Sequence, residues 1–229
     1  MIIYLDIETI PSKDPLIIDG LSKEIKAPGN IKKQESIDLW MSENYESKLS
    51  EIVSKTSFDG ALGSIACICY KIEDEDCVEI HDFESDSDKS ILEKLFYDFS
   101  DFGFRDVKFC GHNIHGFDLP FLKHRAIING IKPPEKLLTA MNAKSWDSCI
   151  EDTMLMWSTD KQKMISLDRL CKVLGISGKG DFDGSMVANE WLNGSKQKVV
   201  DYCIQDVEKV SQVHRRLTFS FSWINNFTN

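Results

Sequence analysis

No apolar run in this 229-residue sequence approaches the roughly 18 residues of a membrane span, and no basic leader or cleavage site precedes the opening MIIYLDIET. The expectation is a soluble, cytoplasmic protein in a reducing compartment, with no membrane partner. No C-x-x-C pair occurs among Cys67, Cys69, Cys77, Cys110, Cys149, Cys171 and Cys203. Most lie in apolar stretches and their number is odd, so reduced, mostly buried thiols are expected rather than a disulfide framework. Positive charge is short as well: 27 Lys plus Arg against 37 Asp plus Glu leave a formal net charge of −10. That is the wrong sign for gripping nucleic acid by phosphate neutralisation alone. Any such contact must be local, and bound cations can supply it. No internal repeat or low-complexity tract appears.

What remains is ordinary globular material, 42% hydrophobic and 28% charged, long enough for one α/β domain over residues 1–229. Residues 2–8 read as a buried strand, and 64–72 and 76–83 as two more around the acidic turn EDED. Ile91, Leu92, Leu95, Phe96 and Phe99 recur at helical spacing in 87–102, with Asp86 or Ser87 as its cap. A short strand over 107–113 precedes a helix in FDLPFLKHRAIIN, with Pro120 tolerable in its first turn. Helices follow at 166–174 and 184–193, and a last one from Gln197 to about Leu217 turns Val199, Val200, Cys203, Val207 and Val210 to one side. This order predicts an α/β fold in which a mixed central sheet is flanked by helices. Residues 12–62 are too many for a hairpin connection. They read as an insertion whose helix, marked by Ile37, Trp40, Met41, Leu49, Ile52 and Val53, is expected to pack on the sheet.

Three acidic stations carry the chemistry. Asp6 and Glu8 are two apart in the first strand and project from one face, where unpaired burial would cost several kcal/mol without a cation or another partner. Asp118 follows a strand and loop at the start of a helix; taken alone it reads equally well as an N-cap. Tyr202 and Asp206 are four apart on the last helix, so phenol and carboxylate lie one turn apart on one side. His112, His115 and His124 are near, but hard carboxylate oxygens suit Mg²⁺ or Mn²⁺ better than zinc. Asp147 and Asp152, at a strand-to-helix transition, read as a solvated acid and a helix cap. Trp146, Trp157, Trp191 and Phe117 are candidates for stacking on bases, although large aromatics more often belong to cores. Lys123, Arg125, Lys132, Lys136 and Lys144 form a basic stretch suited either to phosphate contact or to a solvated helix face.

D-x-E-T after the first strand, N-x-x-x-F-D at a strand-to-helix junction and Y-x-x-x-D on a late helix, in that order, resemble the DEDD superfamily of 3′-to-5′ exonucleases, the DnaQ-like proteins. Position 202 is Tyr and position 201 is Asp, which places the resemblance in the tyrosine branch (DEDDy). GHNIHGFDLPFLKHRAIINGI and VVDYCIQDVEKV look most like free-standing exonucleases related to the family B DNA polymerase proofreading domain, and the stretch Lys26–Asn30 is similar to phage-type members. The resemblance implies a ribonuclease H-like fold and two Mg²⁺ or Mn²⁺ ions. Asp6 would bridge both ions, Glu8 and Asp206 would complete one site, Asp118 would support the second through water, and Tyr202 would orient the attacking water. Asn113 would place the strand, and Thr9 and Ile10 would touch the last base. The expected reaction is release of nucleoside 5′-monophosphates from single-stranded ends, DNA rather than RNA, with a replication or repair protein as a conceivable partner. The alternatives are an exoribonuclease like ribonuclease D, or a non-catalytic docking module that kept the fold.

Overall fold

A computed structural model describes residues 1–85, 87–102, 106–158, 164–176 and 182–219. Five strands form one mixed sheet: β1 (Ile2–Ile10), β2 (Ser64–Ile72), β3 (Val78–His81), β4 (Lys108–Gly111) and β5 (Ile150–Asp152), in the order β3-β2-β1-β4-β5. β1 runs antiparallel to β2 and parallel to β4, and β5 continues parallel to β4. This is the α/β, ribonuclease H-like arrangement expected from the order of elements. The strand-to-helix transition anticipated near Asp152 is β5 followed by α6 (Thr153–Trp157).

Alternation along β1 divides the interior into two cores. Ile3, Leu5 and Ile7 point to one face of the sheet, against α3 (Asp88–Asp98), α4 (Asp118–Ile128) and α5 (Glu135–Asn142). Tyr4 and Ile10 point to the other, against α7 (Leu167–Leu174), α8 (Val187–Leu192) and α9 (Lys196–Leu217). Asp6 and Glu8 share this second face with Tyr4, so the alternation that builds the core also aims both acids at α9. The stripe anticipated on α9 is the one buried, with Val199, Val200, Cys203, Val207 and Val210 all fully excluded from solvent. Each such valine contributes about 1.5–3 kcal/mol of apolar burial.

Helix α3 stops at Asp98, short of the expected 102, and Asp86 lies outside the described residues. Ser87 is its N-cap residue but makes no side-chain cap bond. Asp88 instead links three elements, accepting from the Ile65 amide at 2.7 Å and from Arg125 Nε at 2.6 Å, which ties α3, β2 and α4 together. Helix α5, which apolar spacing did not single out, is eight residues long and buries only Leu137, Ala140 and Met141.

The insertion departs from the expectation. It forms α1 (Pro15–Ser22), capped by Asp14, and α2 (Gln34–Lys55), followed by a 3-10 turn at Thr56–Phe58. None of the 22 residues of α2 is buried. Its stripe of Ile37, Trp40, Met41, Leu49, Ile52 and Val53 is half-buried, and the helix packs on α1 and the 3-10 turn instead of covering the sheet. The reason is its anchorage. The Thr9 hydroxyl donates to the Ser57 carbonyl at 2.7 Å and the Ser12 amide to the Thr56 hydroxyl at 2.8 Å, which fixes the insertion at the carboxyl end of central strand β1, away from both sheet edges. Among the described residues, no helix is long and apolar enough to cross a membrane.

Candidate active site

Carboxylate oxygens of Asp6, Glu8 and Asp206 converge to within 4.8 Å of one another. Strand pleat supplies the first two and helix α9 the third, from the far end of the sequence. Asp6 and Glu8 are half-buried and Asp206 is buried. The register of β1 on β2 slips between Glu8 and Thr9, so a bulge follows the acid pair and turns the strand where the insertion departs. Burial, reinforced by the charges of Glu8, Asp118 and Asp206, pushes the Asp6 carboxyl well above the usual carboxylate range. Three hard oxygen donors held this close to one another suit a divalent cation of the Mg²⁺ or Mn²⁺ kind. The chemistry of the donor set fits such an ion.

Asp118 lies outside that trio but is tied to the same strand. It is the first residue of α4, after Phe117 at the N-cap position, and its Oδ1 accepts from the Ile7 amide at 3.2 Å. Its carboxylate thus reaches β1 between Asp6 and Glu8, so the N-cap reading does not describe it. Burial raises its carboxyl from 3.8 to about 7, with the charge of Asp152 adding to the rise. Tyr202 is buried one turn before Asp206, its ring against Phe182 at 4.9 Å between centroids. Burial, then the charges of Asp206 and Glu8, raise its phenol far above the ordinary value. It stays protonated, and a protonated phenol can orient an oxygen by donating to it but cannot serve as a phenolate base.

The remaining expected contacts are uneven. Asn113 has a left-handed backbone, φ 66°, at the turn after β4, where its amide donates to Asp152 Oδ1 at 3.0 Å. Its side chain lies against Gly116, where an added Cβ would come within 2.4 Å of Asn113 Oδ1. Phe117 is half-buried and, with Phe58, Gly60, Pro120, Phe121 and His124, lines a cavity of about 310 Å³ beside Asp118. Thr9 commits its hydroxyl to Ser57, and Ile10 is fully buried, so its side chain belongs to the core beneath the site. His112 is held by Thr153 Oγ1 at 2.9 Å and the Ile165 carbonyl at 2.8 Å, and burial lowers its pKa. Of the tryptophans, Trp191 is core, whereas Trp146 is exposed with Lys144 over its ring.

Several residues matter more than their sequence context indicated. Asp152 does cap α6, accepting from the Met154 amide at 3.0 Å, but its other contacts are with Asn113 and with the His115 amide at 3.1 Å. One buried carboxylate therefore pins the loop that delivers Asp118. Asp147 is a local turn acid, accepting from the Lys144 amide at 2.8 Å. Cys69 and Cys67 are the cross-strand partners of Asp6 and Glu8, and with Cys203 they form a buried thiol group whose sulfurs lie within 4.8 Å of one another. Cys203 Sγ is 3.5 Å from Asp6 Oδ2 and donates toward it. All seven cysteines are unbridged. Lys209, one turn beyond Asp206, is buried and bonded to it, and the alternation of apolar residues along α9 carried no sign of this.

Among curated proteins nothing matches. Among solved structures, a family B DNA polymerase from the hyperthermophilic archaeon Pyrobaculum calidifontis is similar, with a TM-score of 0.58 at 16% identity. The match covers 95% of this chain and 24% of the polymerase, a likeness of fold. Residues 61–221, which hold Asp118, Tyr202 and Asp206 but not Asp6 or Glu8, match the family described as a predicted 3′-5′ exonuclease related to the exonuclease domain of PolB. With that match spanning well over half of its length, the chain belongs to this family of 3′–5′ exonucleases.

Proposed function

We propose that the protein hydrolyses single-stranded DNA from its 3′ end with two divalent ions, Mg²⁺ or Mn²⁺, releasing nucleoside 5′-monophosphates. The observation that carries this reading is the convergence of Asp6 and Glu8, outside the family match, with Asp206 inside it. When bound, the ions supply an ionised water at neutral pH and charge neutralisation at the phosphate and the leaving 3′ oxygen. Asp6, Glu8 and Asp206 would hold one ion, and Asp118, fixed by the Ile7 amide and close enough to Asp6 for its charge to raise that carboxyl, would support the second. Tyr202 donates its retained proton to orient the attacking oxygen. Asn113 and Phe117, on the loop pinned by Asp152, would contact the strand end, and the cavity beside Phe117 suits a base. DNA is preferred over RNA by the relation to a DNA polymerase exonuclease domain.

The test uses 5′-labelled DNA and RNA strands, single and double, with Mg²⁺, Mn²⁺ or EDTA. A ladder shortening from the 3′ end of single-stranded DNA, abolished by EDTA, is the expected result. A ladder on RNA alone moves the protein to the ribonuclease D type of activity, and no ladder on either leaves a non-catalytic docking module.

A further inference from the structure

Lys209 lies one turn past Asp206 on α9 and is 4% exposed. Its ammonium sits 2.9 Å from Asp206 Oδ1 and 3.8 Å from Oδ1 of Asp168, in the first turn of α7. It also lies 5.9 Å from the centre of the Tyr202 ring. A buried lysine is costly unless its charge is paired, and this one is paired with a carboxylate that also converges with Asp6 and Glu8. Asp206 therefore has two claims on it: the ammonium, and any cation held by the trio. Asp168 gives the ammonium a second carboxylate within reach of a small side-chain movement, since lysine has a flexible four-carbon stem and a compact charge.

We propose that Lys209 is a positioning residue that sets the ion affinity of the active site, competing with the divalent ion for Asp206 and moving toward Asp168 when the ion binds. The proposal rests on the metal-ion reading of the trio. Its consequence is that ion binding is weaker than the three acids alone would make it. An anionic strand that screens or attracts the ammonium would then tighten the ion, so that loading and substrate binding favour one another.

Mn²⁺ binding to the full chain, measured by electron paramagnetic resonance without nucleic acid, tests this in Lys209→Met, Lys209→Arg and Asp168→Asn. Removing a unit positive charge beside the ion should tighten Mn²⁺ binding about tenfold in Lys209→Met. Lys209→Arg should stay near wild type. Asp168→Asn, which removes the second anchor and leaves the ammonium on Asp206, should weaken Mn²⁺ binding severalfold. Unchanged or weaker binding in folded Lys209→Met overturns the proposal. Where that variant does not fold, unchanged binding in Asp168→Asn overturns it instead. Wild-type protein that binds no Mn²⁺ overturns the metal-ion reading itself, whereas wild type and Lys209→Met that bind equally overturn this inference alone.

Discussion

The Ile7 amide donates to Asp118 Oδ1 at 3.2 Å, so the carboxylate that opens α4 is held against the strand carrying Asp6 and Glu8. Burial raises the folded-state Asp118 carboxyl from 3.8 to about 7. The unfolded chain keeps the ordinary value, so the folded protein binds the proton more tightly. That contribution to stability is complete below the unfolded value and is lost as pH rises through the folded one. In EDTA, stability from urea unfolding should therefore fall between about pH 4 and pH 8, and Asp118→Asn should remove on the order of a few kcal/mol of that fall. Equal slopes in the two proteins would refute the assignment.

Asp6→Ala and Asp206→Ala each remove a converging carboxylate and should lower metal-dependent hydrolysis by roughly 10³-fold or more. Asp6→Ala should remain folded, because it relieves repulsion among the acids, whereas Asp206→Ala also strips the buried Lys209 ammonium of its partner and should cost about 1–3 kcal/mol of stability. Asp6→Ala should also lose most of the rise in melting temperature that Mn²⁺ gives the wild type. Full activity in either purified variant would defeat the site.

Tyr202→Phe keeps the ring against Phe182 and removes only the donor. The expected loss in kcat is roughly 10–100-fold, with little change in thermal stability. Because the phenol stays protonated throughout the working range, the variant and wild type should share the same alkaline limb of the pH–rate profile. A limb that disappears in the variant would mean that the phenolate acts as a base.

Asp152→Ala should destabilise the protein by about 2–4 kcal/mol, since it leaves a helix N-terminus and two loop amides without their acceptor. Activity should fall in the fraction that remains folded, because the Asn113–Asp118 loop loses its anchor. Steady-state kinetics with urea unfolding on the same sample checks both. A loss of stability at unchanged kcat/KM would reduce Asp152 to a cap.

Lys26, Lys32 and Lys33 are exposed on the loop between α1 and α2. Since α2 covers no sheet surface, these lysines are available to a strand entering the site. Their joint replacement by Ala should weaken DNA binding and reduce its salt dependence by a slope of about 2–3, with Mn²⁺ affinity retained. Unchanged binding would leave the insertion without a part in substrate capture.

Local periodicity made much of this legible. Alternation in YLDIETI determines that Asp6 and Glu8 share one face, and the 3.6-residue repeat of α9 determines that Tyr202 and Asp206 share another, because both follow from backbone geometry alone. The valine stripe of α9 follows for the same reason, and the short acidic turn between the two predicted strands foreshadows the pairing of β2 with β3. Tertiary structure decided what no local repeat encodes. It brought Asp6 within reach of Asp206, drew Asp118 to the Ile7 amide, and gave Asp152 its hold on the loop. It also left α2 off the sheet, because a half-buried stripe specifies that a helix packs but not on what. Nothing in the sequence singled out Lys209, and Cys67, Cys69 and Cys203 read there only as reduced, mostly buried thiols. Only the docking of α9 onto β1 and β2 placed them against the acids, since contacts between elements depend on how those elements are oriented in space.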